Sequence, residues 1–326
     1  MPTRTTPSAI LPIGLIALDI DGTLIGDDLE IGPDTRAAVT AAMRRGVQVS
    51  LVTGRMVSSA LRFAHELGLT GPIVGYQGGL IRAMPEEGSN RLGRLLVHRP
   101  IPAHVAREIV EWTRARGMDP HLNHLERFIL RADDPNADDY SAFMGARAEL
   151  VADLAGSIRH PITKVLAVGE PPLPTQLVAL AGAHFRGRAD VTISHPRFLE
   201  FVAPGVSKGR AVRWLARRLR VALGATLAIG DQWNDLEMLA EVGHGTAMPT
   251  APREVQAAAR YIAPAVADEG VARMIEALVL SSSDSTRAAS DQLAAEAAAR
   301  LAREAPQDED GLAATPLDRP AESVPA

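Results

Sequence analysis

Ile13 to Leu18 is an uncharged, mostly apolar run that ends in Asp19-Ile20-Asp21-Gly22-Thr23. Side chains two apart on an extended strand point the same way, so the two carboxylates share a face. A strand buried on both faces does not end in paired acids unless something positive waits beyond it. Gly22 lets the chain turn sharply directly after them. Paired acids at the carboxyl end of such a strand suit a hard-metal site, with one carboxylate free to attack and the other to move protons. Taken alone, the string also suits a turn or a helix cap.

The rest of the chain sets that strand in an alternating pattern. Ile13–Ile20, Val47–Val52 and Ile73–Tyr76 read as strands. Between them Pro33–Arg45 reads as a helix with proline in its first turn and Gly46 past its end, and Arg55–Leu67 as a helix closed by Gly68. Such alternation predicts a parallel sheet covered by helices on both faces. The order then changes. Leu80–Ala83 and Arg94–His98 predict a hairpin, Ala103–Arg116 a helix, Pro120–Arg131 irregular chain or strand, and Ala137–Ala155 a helix. Thr163–Val168 predicts a strand, Pro174–Ala183 a helix, and Val191–Ser194 with Arg197–Val202 a hairpin. Alternation resumes with a helix at Lys208–Leu219 capped by Ser207, a strand at Thr226–Gly230 and a helix from Asp235 to Glu241. The expected architecture is therefore α/β, a doubly wound, mainly parallel sheet. Residues 1–82 and 200–280 form its core, and 83–199 an inserted α+β unit that would make a lid over the sheet edge.

Composition narrows the function classes. At 326 residues and 46% hydrophobic content the chain is long enough for two domains. It has no cysteine, which removes disulfides, thiolate metal sites and cysteine nucleophiles. No apolar run approaches the roughly 20 residues of a membrane span, and Met1–Pro12 does not read as a secretory signal. No membrane partner is expected, and the compartment expected is the cytoplasm. Net charge is −5, and residues 281–326, with nine acids and four bases, carry all of it. The remainder balances at 30 bases against 30 acids, so no nucleic-acid footprint is expected. The tail from 281 is rich in Ala, Ser, Pro and acids; it reads as disordered or partly helical, with a helix possible at Asp291–Glu304.

Three further stretches join the acid pair. Thr53-Gly54-Arg55 ends a buried strand and runs straight into a helix, where a hydroxyl and free N–H groups can hold phosphate oxygens. Lys208 opens a helix, where the macrodipole disfavours a cation unless an anion lies near. It is one of only two lysines against 32 arginines, the other being Lys164. Gly230-Asp231-Gln232-Trp233-Asn234-Asp235 brings a second strand to an acid, with oxygen ligands suited to Mg²⁺. Each has a plainer reading as a cap, turn or solvated residue. All four, however, fall at strand carboxyl ends or the helix starts that follow, where ligands of doubly wound sheets bind.

Together, Asp19-x-Asp21-Gly22-Thr23, Thr53-Gly54-Arg55, Lys208 and Gly230-Asp231-x-x-Asn234-Asp235 resemble the haloacid dehalogenase-like phosphatases. The place of the insertion resembles the Cof-type branch with its α+β cap. The resemblance covers the body to about residue 280. It implies that Asp19 is the nucleophile that forms an aspartyl-phosphate and Asp21 the general acid/base. Thr53 and Gly54 would hold phosphate, and Lys208 would steady nucleophile and phosphate. Asp19, the Asp21 carbonyl and Asp231 would bind Mg²⁺, with Asn234 and Asp235 completing or supporting the shell. Two places depart from the family pattern: Tyr76-Gln77-Gly78-Gly79 where Asn-Gly is common, and Pro249-Thr250-Ala251 after Ala247-Met248. In the cap, His121, His124, Glu126 and Arg127 are candidates to touch substrate, His121 and His124 also for a metal, and Arg186 and Arg188 for a phosphate-bearing ligand. Lys164 reads as structural or near the entrance.

The expected activity is Mg²⁺-dependent hydrolysis of a small phosphorylated metabolite, a sugar phosphate or phosphorylated cofactor. The same motifs would serve a sugar-phosphate mutase. Receiver-type phospho-acceptor modules also combine an acid pair, an aspartate, a Thr or Ser and a lysine with Mg²⁺, although those lack a large insertion. A binding protein that recruits a partner through the acidic tail is the remaining alternative. Composition does not set the oligomeric state.

Overall fold

The computed structural model describes residues 12–86, 92–134, 137–144, 147–281 and 283–303. Its central sheet has five parallel strands in the spatial order Tyr261–Ile262, His244–Ala247, Thr226–Gly230, Leu15–Leu18 and Gln48–Leu51. Leu15–Leu18 is buried along its whole length because it is interior to the sheet and covered on both faces. Ile73–Gly75 continues the edge through a single parallel bridge, Val52 to Val74. It then turns antiparallel with Leu80–Arg82 and Leu95–His98, the expected hairpin, whose residues 87–91 lie outside the described ones.

The helices lie where periodicity puts them. Pro33–Arg44 buries Thr35, Ala38, Val39 and Ala42, one stripe of the 3.6-residue repeat, against the sheet. Val57–Glu66 buries Ala60, Phe63 and Ala64 in the same way. Lys208–Leu219 covers the opposite face with Ala211, Val212, Leu215 and Ala216. Apolar side chains from both faces close the core around strands whose four or five residues are all buried.

A second sheet of six strands stands apart, in the order Asp190–His195, Phe198–Val202, Lys164–Val168, Asp119–His124, Arg127–Arg131 and Glu149–Val151. Helices Ala103–Arg114 and Leu173–His184 back it, and it has its own apolar cluster of Ile109, Trp112, Phe185 and Phe201. Its Phe198–Val202 strand runs three residues past the expected boundary at 199.

One expectation is corrected here. The single helix over Ala137–Ala155 is instead a helix at Ala137–Met144, a strand at Glu149–Val151 and a short helix at Leu154–Ser157. Glu149–Val151 is drawn into a parallel pairing with Ile129–Arg131, a tertiary pairing that overrides local propensity. Asp153 then caps the short helix by accepting the Gly156 N–H. The tail was expected to be disordered or partly helical, and its described residues include a helix that starts eight residues before the expected Asp291. A helix over Ser283–Arg303 lies against strand Tyr261–Ile262, with Ser290 and Ala297 buried beneath it. Residues 304–326 lie outside the described ones.

Candidate active site

Strand register assembles the site. Leu18 pairs with Ile229 on one side and Leu51 on the other, so three strands end at one level. The Asp19 N–H donates to the Ile229 carbonyl at 3.1 Å and the Val52 N–H to the Leu18 carbonyl at 2.8 Å. Asp19, Thr53 and Asp231 therefore leave the sheet side by side. Gly22 lies at φ 71°, where a side chain is strained. A Cβ there would also stand 2.4 Å from Asp231 Oδ2. The turn after the acid pair is glycine because the second acid-bearing loop occupies its space.

Lys208 is wholly buried at the start of its helix, which Ser207 caps by accepting the Arg210 N–H at 3.1 Å. Its Nζ lies 2.8 Å from Asp19 Oδ1 and 2.7 Å from Asp235 Oδ1. The other Asp235 oxygen accepts the N–H groups of Asp231 (3.1 Å) and Gln232 (3.0 Å). Asp235 thus folds its own loop and anchors the lysine.

Oxygens of Asp19, Asp231 and Asp235 lie within 4.8 Å of one another, all three residues buried. Three carboxylates face one ammonium, so negative charge is in excess. Burial raises the Asp19 carboxyl well above the usual range; Lys208 opposes this, and Asp235 and Asp231 add to it. Burial and then Asp235 push Asp231 up to about 7. Burial works against the charged form of Lys208, but Asp19 and Asp235 outweigh it and hold the ammonium above the usual lysine value. Among the described residues, Asp231 Oδ1 and Asn234 Oδ1 are buried without a hydrogen-bond donor. Surplus buried charge with orphaned hard oxygens is a donor set that fits Mg²⁺.

Asp21 stands slightly apart, with 44% of its side chain exposed. Arg55 grips it with two donors, Nε to Oδ2 at 2.7 Å and Nη2 to Oδ1. Thr53 Oγ1 accepts the Arg55 N–H at 3.1 Å, so its own proton remains to be donated. Gly54 has no room for a side chain, since a Cβ would stand 2.5 Å from Gln77 Nε2.

Asp19, Asp21, Gly54, Arg55, Asp231 and Asn234 floor a cavity of about 440 Å³, with the buried Thr53, Lys208 and Asp235 behind that floor, and its roof comes from the six-stranded sheet: Lys164, Leu166, Ser194, His195, Phe198 and Glu200. Two buried contacts tie roof to floor. Lys164 Nζ donates to the Gly54 carbonyl at 2.9 Å, and Gln77 Nε2 to Glu200 Oε2 at 2.8 Å. Of these roof and bridging residues, sequence reasoning placed Lys164 as structural or near the entrance, and the stretch that holds Gln77 near the entrance as well. A lone acid amid Phe198, Leu199, Phe201 and Val202 was the signal for Glu200. Gln77 stood out as a departure from a family pattern near the entrance, with no sign of its partners.

The other cap candidates lie elsewhere. His121 is buried against Asp134 (3.2 Å), Phe128 and Tyr140, and neither it nor His124 joins a metal-ligand cluster among the described residues. Glu126 accepts from the Ser58 N–H and Arg82, both at 3.0 Å, latching the cap to the Val57–Glu66 helix and the Leu80–Arg82 strand. Arg127 pairs with Glu149 and Arg188 with Glu108, away from the cavity lining.

Comparison with known proteins agrees with this geometry. The family described as haloacid dehalogenase-like hydrolase matches residues 16–275. An HMP-PP phosphatase of Serratia proteamaculans is 29% identical over 237 residues, 73% of this chain and 84% of the relative. A 5-amino-6-(5-phospho-D-ribitylamino)uracil phosphatase of Bacillus subtilis is 26% identical over 278 residues, 80% of this chain and 96% of the relative. Among solved structures, a haloacid dehalogenase-like hydrolase from Bacteroides thetaiotaomicron superposes with a TM-score of 0.70 at 26% identity, covering 81% of this chain and 98% of its own.

Proposed function

This chain belongs to the haloacid dehalogenase-like hydrolases, as a Cof-type phosphatase, and from that premise we propose that it hydrolyses a small phosphomonoester through an aspartyl-phosphate on Asp19 with Mg²⁺ bound. The surplus of buried carboxylate around a single lysine carries this reading. Phosphoryl transfer is governed by positioning and charge neutralisation. Asp19, the Asp21 carbonyl, Asp231 and Asn234 would hold Mg²⁺, which would supply the charge that lets a carboxylate approach a phosphate. Asp235 supports that shell by fixing Lys208 and the Asp231 amide.

The residues divide the work. Lys208 orients Asp19 and meets the incoming phosphate. The Thr53 hydroxyl and Gly54 N–H hold phosphate oxygens. An Asp19 oxygen bonds to phosphorus as the ester P–O bond breaks, and the departing oxygen takes its proton from Asp21. Asp21, now a base, removes a proton from the water that attacks phosphorus. The Asp19–phosphorus bond breaks, which restores the free carboxylate and releases phosphate. Arg55 occupies both Asp21 oxygens in this structure, so each proton transfer requires Asp21 to turn from the guanidinium toward the cavity that it lines.

Residues 83–199, with the three that finish the last strand, serve as the cap that shapes the leaving-group side. Its roof mixes apolar Leu166 and Phe198 with polar Lys164, Ser194, His195 and Glu200. That mixture and the cavity size suit a sugar phosphate or phosphorylated cofactor. Relatives named for HMP-PP and for a phosphoribitylamino-uracil fall in the same range. Phosphate release measured over a panel of such metabolites, with Mg²⁺ or EDTA, tests the reading. Turnover of one compound that EDTA abolishes is expected; an isomer produced without free phosphate would identify a mutase instead.

A further inference from the structure

Glu200 lies in the middle of an apolar cap strand, yet it is only 2% exposed. Its carboxylate accepts from Lys164 Nζ at 3.0 Å, Ser194 Oγ at 2.7 Å and Gln77 Nε2 at 2.8 Å. A carboxylate paired with an ammonium accepts on both oxygens and donates on neither. The Gln77 amide therefore has one allowed orientation, with nitrogen toward Glu200 and oxygen toward the core. That oxygen accepts from Asn234 Nδ2 at 2.9 Å. With its nitrogen so engaged, Asn234 is left with a buried Oδ1 that has no donor among the described residues. The same asparagine lines the cavity together with Asp19, Asp21 and Asp231.

We propose that Glu200, a cap residue, sets the polarity of the Asn234 amide through Gln77, so that Asn234 presents its carbonyl oxygen rather than an N–H to the cation site. Glu200 and Gln77 are positioning residues, and neither touches the ion. Gln77 is held firmly enough to transmit the choice. It is buried at φ 60°, its N–H donates to the Thr53 carbonyl at 3.0 Å, and it packs against Gly54 without space for a methyl group. Lys164 fixes the other end by holding both Glu200 and the Gly54 carbonyl. Cap seating and cation affinity are consequently coupled through three side chains.

The proposal rests on the reading that the aspartate cluster binds Mg²⁺, and calorimetric titration of the full-length protein with MgCl₂ separates the two. In Glu200→Gln, Lys164 keeps the new amide oxygen and turns the new amide nitrogen toward Gln77. Gln77 must then flip, and Asn234 after it, placing an N–H donor at the ion. The Mg²⁺ dissociation constant should rise by about tenfold or more, as for other outer-shell partners of a metal. The double variant Gln77→Glu with Glu200→Gln returns a carboxylate to the relay, able to accept from both amide nitrogens, and keeps the buried charge constant. It should recover most of the lost affinity. A tight Glu200→Gln variant beside a tight wild type overturns the proposal. So does a double variant that melts with the wild type yet stays weak. A wild type that takes up no Mg²⁺ removes both the proposal and the metal reading beneath it.

Discussion

Lys208 carries its charge into a place where burial alone would strip it, and two aspartates keep it there. Removing Asp19 as a nucleophile should therefore silence the enzyme without unfolding it. Asp19→Asn is expected to lower phosphate release by at least about 10³-fold, with a melting temperature close to that of the wild type. Gly22→Ala adds a methyl group at φ 71° against Asp231. It should cost about 1–2 kcal/mol in a denaturant titration and weaken Mg²⁺ binding together with it. His244 allows a pH prediction away from the site. Burial first, then Arg260, pulls it down to about 4, and its Nδ1 lies 3.2 Å from the Tyr261 hydroxyl. Above about pH 6.5 it is neutral in both folded and unfolded chains and contributes no pH dependence. As pH falls from there toward 4, only the unfolded chain takes up the proton, and stability falls by at most about 3 kcal/mol. Thermal melts between pH 4 and 7 should show that slope, and His244→Asn should flatten it. At this scale Asp19, Asp231 and Lys208 were legible because charge at the end of an apolar strand or the start of a helix is anomalous. His244 was not, since a histidine's burial depends on what covers it.

Elements with strong periodicity and caps were read nearly to their ends. Ser207 was recognised as a cap from sequence, and its hydroxyl accepts the Arg210 N–H. Ser207→Ala should lower stability by about 1 kcal/mol. It should also speed hydrogen exchange at the Arg210 amide, since the first turn carrying Lys208 loses its lock. The Ala137–Ala155 stretch failed because a three-residue edge strand has too little pattern of its own and is stabilised by a neighbour remote in sequence. The tail helix was half-read for a different reason. Its inward stripe is Ser290, Leu293, Ala294 and Ala297, helical in spacing but too small to look apolar. Ser290 bonds the buried Tyr261 hydroxyl at 2.6 Å, so a polar residue occupies the centre of that interface.

For the whole molecule, that tail is a structural part of the core as far as Arg303. It covers the Tyr261–Ile262 edge, and Arg253 and Arg300 reach the carbonyls of Leu301 and Pro249 across the joint (both 3.3 Å). Ending the chain at Ser281 should lower the melting temperature by several degrees, a few kcal/mol of lost packing at this size. Phosphate release at 25 °C should persist, because no tail residue lines the cavity among those described. An unchanged melting temperature would show that the helix contributes nothing to the fold. Local order along the chain was enough to determine three of the central sheet's five strands, the helices that follow them and the four chemical stretches, because strand burial, helix capping and glycine turns are written in neighbouring residues. Contacts between sheets were decided only by tertiary structure. Glu200, Gln77 and Asn234 lie 123 and 157 residues apart along their two hydrogen bonds, and no local pattern records which amide faces which carboxylate. The physical reason is that a buried polar group takes its meaning from its partner, and the partner is supplied by the fold.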